Sequence, residues 1–148
     1  MIKVDVFCKP ATVLKPNVTK IKNIIKIVYK HENVYDFNIS IIFTNDKLVS
    51  SLKKSFFKIH QLTDVIAFRL NDYSEKNIEG EVYISVERVF YNAKKYNEKK
   101  TREISRVLIH GILHLLNYKD NKKESKNLMT SKEDYYLTKV DCECFDVW

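Results

Sequence analysis

Ile2, Val4 and Val6 alternate with Lys3, Asp5 and Phe7, the period-two pattern of a strand. Pro10 and Pro16 bracket a segment expected to be a loop. Asn17 or Thr19 can cap a helix whose Ile21, Ile24, Ile25 and Val28 recur at helical spacing. Phe37 to Phe43 is dense in β-branched and aromatic residues and predicts a second strand. Asp46 can cap a second helix with Leu48, Leu52 and Phe56 on one side. Thr63 to Phe68 predicts a third strand, Asn71 to Glu79 a polar loop, and Gly80 opens a fourth strand over Glu81 to Val86. A helix over Glu87 to Tyr96 turns Val89, Phe90 and Ala93 inward. The strongest helical pattern runs from Thr101 to Leu116, with Ile104, Val107, Leu108, Ile112 and Leu115 apolar. A last helix is expected to start at Ser131, with Asp134 as a capping-box-like partner. Strands and helices mix without strict alternation. The pattern predicts one α+β domain over residues 1–148: a small mixed sheet of about four strands covered by helices.

Composition narrows the class. A chain of 148 residues, 45% apolar, suits one globular domain, and a domain of that size buries roughly two-thirds of its unfolded surface. Two glycines and two prolines exclude a collagen-like or linker-rich chain. No apolar run approaches the roughly 20 residues that span a bilayer, and Met1 to Val6 has no secretory apolar region. A cytoplasmic protein without a membrane partner is the expectation. The net charge of +7 favours a nucleic-acid partner. That charge is nearly all lysine, since Arg69, Arg88, Arg102 and Arg106 are the arginines. Abundant Lys, Asn, Ile and Tyr point to the codon drift of an AT-rich genome, so the charge decides little. Cys8, Cys142 and Cys144 are an odd count and give no disulfide framework. Cys142 and Cys144 have the spacing of metal ligands but no second pair nearby, so free thiols are expected.

Candidate chemistry lies in His110-Gly111-Ile112-Leu113-His114-Leu115-Leu116-Asn117-Tyr118-Lys119-Asp120. His110 and His114, four apart on a helix, share one face and can share one metal ion. Asn117 tolerates the left-handed backbone that ends a helix, and the reversal brings Asp120 back beside the histidines. Two imidazoles and a carboxylate leave a fourth position open, as in catalytic zinc sites. Paired histidines at this spacing are commonly plain surface residues. Here the apolar helix, the following aspartate and Gly111 favour metal; mid-helix glycine costs up to about 1 kcal/mol and implies a close approach. Metzincin peptidases share the 0, 4, 7, 10 spacing, but carry a glutamate base after the first histidine. Gly111 occupies that place and takes no proton, which disfavours a peptidase. His31 and His60 have no partner at ligand spacing.

The same segment resembles the YbeY family of rRNA-maturation endoribonucleases, whose pattern is H-G-x-L-H-L-x-G-Y-D-H. Asp120 stands at the family's third histidine and Asn117 at its glycine. Thr63-Asp64-Val65-Ile66-Ala67-Phe68 matches a T-D-V-L-S-F motif, and Gly80-Glu81-Val82-Tyr83-Ile84-Ser85 matches G-D-I-x-I-S. The match spans roughly residues 40 to 137 and accounts for both glycines.

The resemblance implies a single α+β domain that cleaves single-stranded RNA in 16S rRNA 3′-end maturation and small-subunit quality control. It implies His110, His114 and, by substitution, Asp120 as ligands of one zinc ion, with manganese or nickel as alternatives. The implied partners are rRNA and the small ribosomal subunit, with no nucleotide cofactor. The family's arginine six residues before the T-D pair, which the resemblance links to RNA phosphate, falls on Phe57. Lys58, Arg69 and Lys119 are the candidate RNA-binding side chains in its stead, with Lys53 and Lys54 close in sequence. Phe56, Phe57, Phe68, Tyr73 and Tyr83 offer rings that can stack on bases, though core packing or plain surface is the better reading of any one of them. Thr63 and Asp64 are expected to fix a strand end or loop near the site. The alternatives are a ribosome-assembly factor with weak or no catalysis, and a metallopeptidase.

Overall fold

The computed structural model describes residues 1–10, 14–58, 62–143 and 145–147. Among them β1 (Ile2–Cys8) pairs in parallel with β3 (Phe37–Thr44), which pairs in parallel with β5 (Ile78–Ser85). The edge strand β4 (Val65–Arg69) runs antiparallel to β5, so the sheet order is β1-β3-β5-β4. Ile39, Ile41, Ile42 and Phe43 of β3 are all buried, as a central strand covered on both faces requires. The expected α+β class with a four-stranded mixed sheet is the observed one. A separate two-stranded ribbon, β2 (Leu14–Pro16) against β6 (Phe145–Val147), replaces part of the loop expected between Pro10 and Pro16. A three-residue strand leaves no periodic pattern to read, and its partner lies at the other end of the chain.

Five helices are described. In α1 (Val18–His31) the Asn17 side chain accepts from the Lys20 amide at 3.1 Å, and Ile21, Ile24, Ile25, Val28 and Tyr29 are buried. In α2 (Asp46–Phe57) the cap is Asn45, whose side chain accepts from the Leu48 amide at 3.0 Å. Asp46, the expected cap, instead accepts from the Ser85 hydroxyl at 2.7 Å and the Arg88 guanidinium at 2.9 Å, tying α2 to α3 (Val86–Lys95). The buried side chain of α2 is Val49; on the side that carries Leu48, Leu52 and Phe56, Phe56 is 66% exposed.

Two strand starts also differ from expectation. β4 begins at Val65 rather than Thr63, and β5 begins at Ile78, so Gly80 lies inside the strand. The larger correction is α5 (Lys123–Leu137), which starts eight residues before Ser131. The charged stretch before Ser131 reads as a loop, but the Ser125 hydroxyl meets the Lys122 amide at 3.1 Å and supports a first turn there.

α4 (Lys100–His114) lies against β4, β5, α3 and α5. Its contact with the sheet is close enough to require glycine. A Cβ on Gly111 would come within 2.6 Å of Val82 Cγ1 and 3.2 Å of Val65 Cγ2. Side chains alternate across strands, so Tyr83 and Phe68 point to the opposite face, where Phe56 and Phe57 of α2 meet Phe68.

Candidate metal centre

The last turns of α4 bury Leu108, Ile109, Ile112 and Leu113 and leave His110 and His114 on a half-buried stripe. After His114 the Asn117 amide bonds the His114 carbonyl at 3.0 Å, and the Tyr118 amide reaches back to Leu113 at 3.3 Å. Asn117 adopts φ 72°, the left-handed conformation that such a reversal needs. The turn returns Asp120 to the histidines, as expected from the sequence. His110 Nε2 lies 2.9 Å from His114 Nε2 and 3.2 Å from Asp120 Oδ2, and His114 Nε2 lies 3.5 Å from the same oxygen.

The outer ring nitrogens decide what these three atoms carry. His114 Nδ1 faces the Tyr118 carbonyl at 2.8 Å, which only accepts, so that nitrogen holds a proton. His110 Nδ1 faces Glu133 Oε2 at 2.7 Å and donates likewise. In the neutral rings both Nε2 lone pairs therefore converge on a carboxylate oxygen. Three lone-pair donors in contact repel unless a cation lies between them. A tetrahedral ion with bonds of about 2.0–2.2 Å spaces its donors roughly 3.3–3.6 Å apart, so the set fits one divalent ion with small adjustments.

Without an ion, a proton serves that role. Burial opposes charge on His110, but the carboxylates of Asp120 and Glu133 on its two nitrogens raise it to about 9. The hydrogen bond from His110 holds Asp120 at about 2. Burial and the neighbouring His110 lower His114.

Glu133 is the functional neighbour that the sequence reading missed. It is 7% exposed, accepts from His110, and is paired with Arg106 Nη1 at 3.3 Å. Placing the helix start at Ser131 put Glu133 in a first turn, where an acid is ordinary. Counted on the true helix, it lies on one face with the buried Met129, Tyr136 and Leu137, and a carboxylate among apolar positions was the available signal.

The site opens into a cavity of about 670 Å³. Lys119, Asp64 and Phe57 line it together with His110, His114 and Asp120. Asp64 has its carboxyl raised by burial, against the lowering influence of His110. Its main-chain oxygen accepts from the Ser85 amide at 2.8 Å, consistent with a role in fixing the strand end. Arg69 is committed to the protein's own chain. Its guanidinium donates to the Leu115 carbonyl at 2.8 Å, to the carbonyls of Asp72, Glu75 and Asn77, and to the Asn71 side chain. It holds the helix end and the 71–77 loop rather than offering a free fork to phosphate. Lys58, at the left-handed C-cap of α2, lies outside the lining of the metal cavity. His31 packs edge-on against Tyr135 and Tyr136, away from the ligands. His60 and Cys144 lie outside the described residues, and Cys142 carries a free thiol.

Comparison with known proteins places this geometry in a family. The family model for the endoribonuclease YbeY matches residues 10–141. The chain belongs to that family. It is 38% identical over 122 residues to the YbeY endoribonuclease of Amoebophilus asiaticus, covering 82% of each chain. It is 36% identical over 110 residues to that of Karelsulcia muelleri, covering 74% of this chain and 77% of the relative. A solution structure of a Thermotoga maritima protein, 24% identical, superposes with a TM-score of 0.61 over 90% of this chain and 86% of that one. That likeness shows the shared fold. Membership makes the chain a hydrolase of the RNA-cutting class and disfavours both an inert assembly factor and a peptidase.

Proposed function

We propose that the chain cleaves single-stranded rRNA using one divalent ion held by His110 Nε2, His114 Nε2 and an oxygen of Asp120. The convergence of these three donor atoms within 3.5 Å, with both outer ring nitrogens engaged by acceptors, carries the reading. Two imidazoles and one carboxylate suit zinc, with manganese or nickel as the alternatives. When bound, the ion supplies Lewis acidity toward a phosphate oxygen and toward water. Glu133 and the Tyr118 carbonyl fix the tautomer and tilt of the two rings. Lys53, Lys119 and Lys126 line the cavity and attract the RNA backbone. Gly111 stands where zinc peptidases carry their base, so this helix offers no carboxylate there.

Within this reading the substrate is the 3′ end of the small-subunit rRNA, met on the small ribosomal subunit in the cytoplasm. The family assignment supports it. Among the described residues no helix is long and apolar enough to cross a membrane. The test is cleavage of a single-stranded RNA by metal-loaded protein beside a His110→Ala variant purified identically. Cutting should disappear in the variant together with about one bound ion per chain. Equal cutting by both would overturn the proposed centre.

A further inference from the structure

We infer that Phe57 presents an open ring on which an unpaired RNA base stacks, across the edge strand β4 from the histidines and within the cavity that the metal centre shares. The inference rests on the ribonuclease reading above and names how its substrate is gripped. Phe57 ends α2 and is 49% exposed. It lines the same cavity as His110, His114 and Asp120. It is also held in place. The Phe68 ring lies 6.0 Å away and within 19° of parallel, backing one side of Phe57. Phe68 is gripped in turn by the edges of Phe56 at 5.1 Å and Tyr83 at 5.9 Å, and it stands on the paired strand β4. A platform set by a sheet needs little ordering when a base arrives.

The surrounding charge selects the occupant. Lys53 lies one turn before Phe57 on α2, and Lys119 and Lys126 line the same cavity from the ligand loop and α5. A ring face among separated ammonium groups matches a chain of alternating bases and phosphates. An A-form duplex keeps its base faces stacked and has none to offer. An apolar peptide would use the ring but gain nothing from the lysines. The cavity, about 670 Å³, falls in the range of pockets that enclose small ligands, about 300–1,000 Å³.

The test uses the full chain and a fluorescent, unstructured RNA. Binding is read by anisotropy with chelator present, and cleavage by steady-state kinetics with metal. Phe57→Leu keeps apolar bulk but no aromatic face, and Phe57→Tyr keeps the face. Leu should weaken binding about fivefold or more and raise KM in step, with kcat little changed, while Tyr should stay close to wild type. An RNA with one abasic residue at the stacked position should bind wild type more weakly and the Leu variant equally. Leu behaving like wild type would overturn the inference while leaving the ribonuclease reading intact. A wild-type chain that neither binds nor cuts RNA would sink the ribonuclease reading itself. Preferential binding of an unfolded peptide at Phe57 would also overturn the inference, in favour of a protein partner. Thermal melts confirm that each variant is folded.

Discussion

His110 lies between two carboxylates, Glu133 on Nδ1 and Asp120 toward Nε2, and its affinity for a proton follows from that. In the metal-free protein it is raised from 6.5 to about 9. A group that binds its proton more tightly when folded stabilises the fold fully below its unfolded pKa. That contribution is therefore complete below about pH 6.5 and is lost as pH rises through about 9. Chelated protein should melt at lower temperature at pH 9 than at pH 6.5, and a His110→Asn variant should lose that difference. A wild-type profile that is flat or rises over this window would contradict the pairing. Asp120, held at about 2, acts oppositely: its contribution is present above about pH 3.8 and is lost only as pH falls to about 2. The pair thus keeps the donor triangle assembled across neutral pH, ready to exchange a proton for a cation.

At the scale of the element, α4 works by closeness to the sheet. Alanine at Gly111 offers the helix up to about 1 kcal/mol. Its Cβ would also press on Val82 Cγ1 at 2.6 Å and Val65 Cγ2 at 3.2 Å, and overpacking there costs about 1–3 kcal/mol. The second effect wins, so Gly111→Ala should lower Tm by a few degrees. The double variant with Val82→Ala should recover part of the loss attributable to the clash, read by paired thermal melts. No recovery would mean that Gly111 matters for another reason. The strain falls one residue from His110, so metal affinity should fall in the single variant as well. Asn117 and Arg69 complete the element. One supplies the left-handed turn and the other caps the Leu115 carbonyl, so the loop carrying Asp120 leaves the helix in a set direction.

Across the whole molecule, one carboxylate gathers the pieces. Glu32, just past α1, accepts from the hydroxyls of Tyr118 and Tyr136 and from Lys132 at 2.9 Å. Its side chain is 9% exposed, and those three donors keep its carboxyl below the usual carboxylate range despite the opposing effect of burial. Tyr118 offers its carbonyl to His114, and α5 carries Glu133 to His110. Glu32 therefore joins α1, the ligand loop and α5, and holds the supports of both histidines. Glu32→Gln should cost about 1–3 kcal/mol, since Lys132 is left without its counter-ion. It should also weaken metal binding measured by calorimetry, although Glu32 touches no ligand. A drop in stability with unchanged metal affinity would restrict Glu32 to a purely structural role.

Helical and strand periodicities are local, and they carried the sheet, the capping of α1, the Gly111 contact and the placing of His110, His114 and Asp120 near one another. The metal set was legible because its members fall within eleven consecutive residues, where helix pitch and one asparagine dictate geometry. Glu133, Glu32 and the backing of Phe57 by Phe68 were not legible. Each depends on segments brought together by packing, and spacing carries no record of such pairing. Arg69 shows the same limit. Its charge and position suggested phosphate, and only the folded 71–77 loop spends its donors on carbonyls. The ribbon of β2 and β6 and the early start of α5 were hidden for a related reason: short or highly charged segments have weak intrinsic preference, so their structure is set by what they meet.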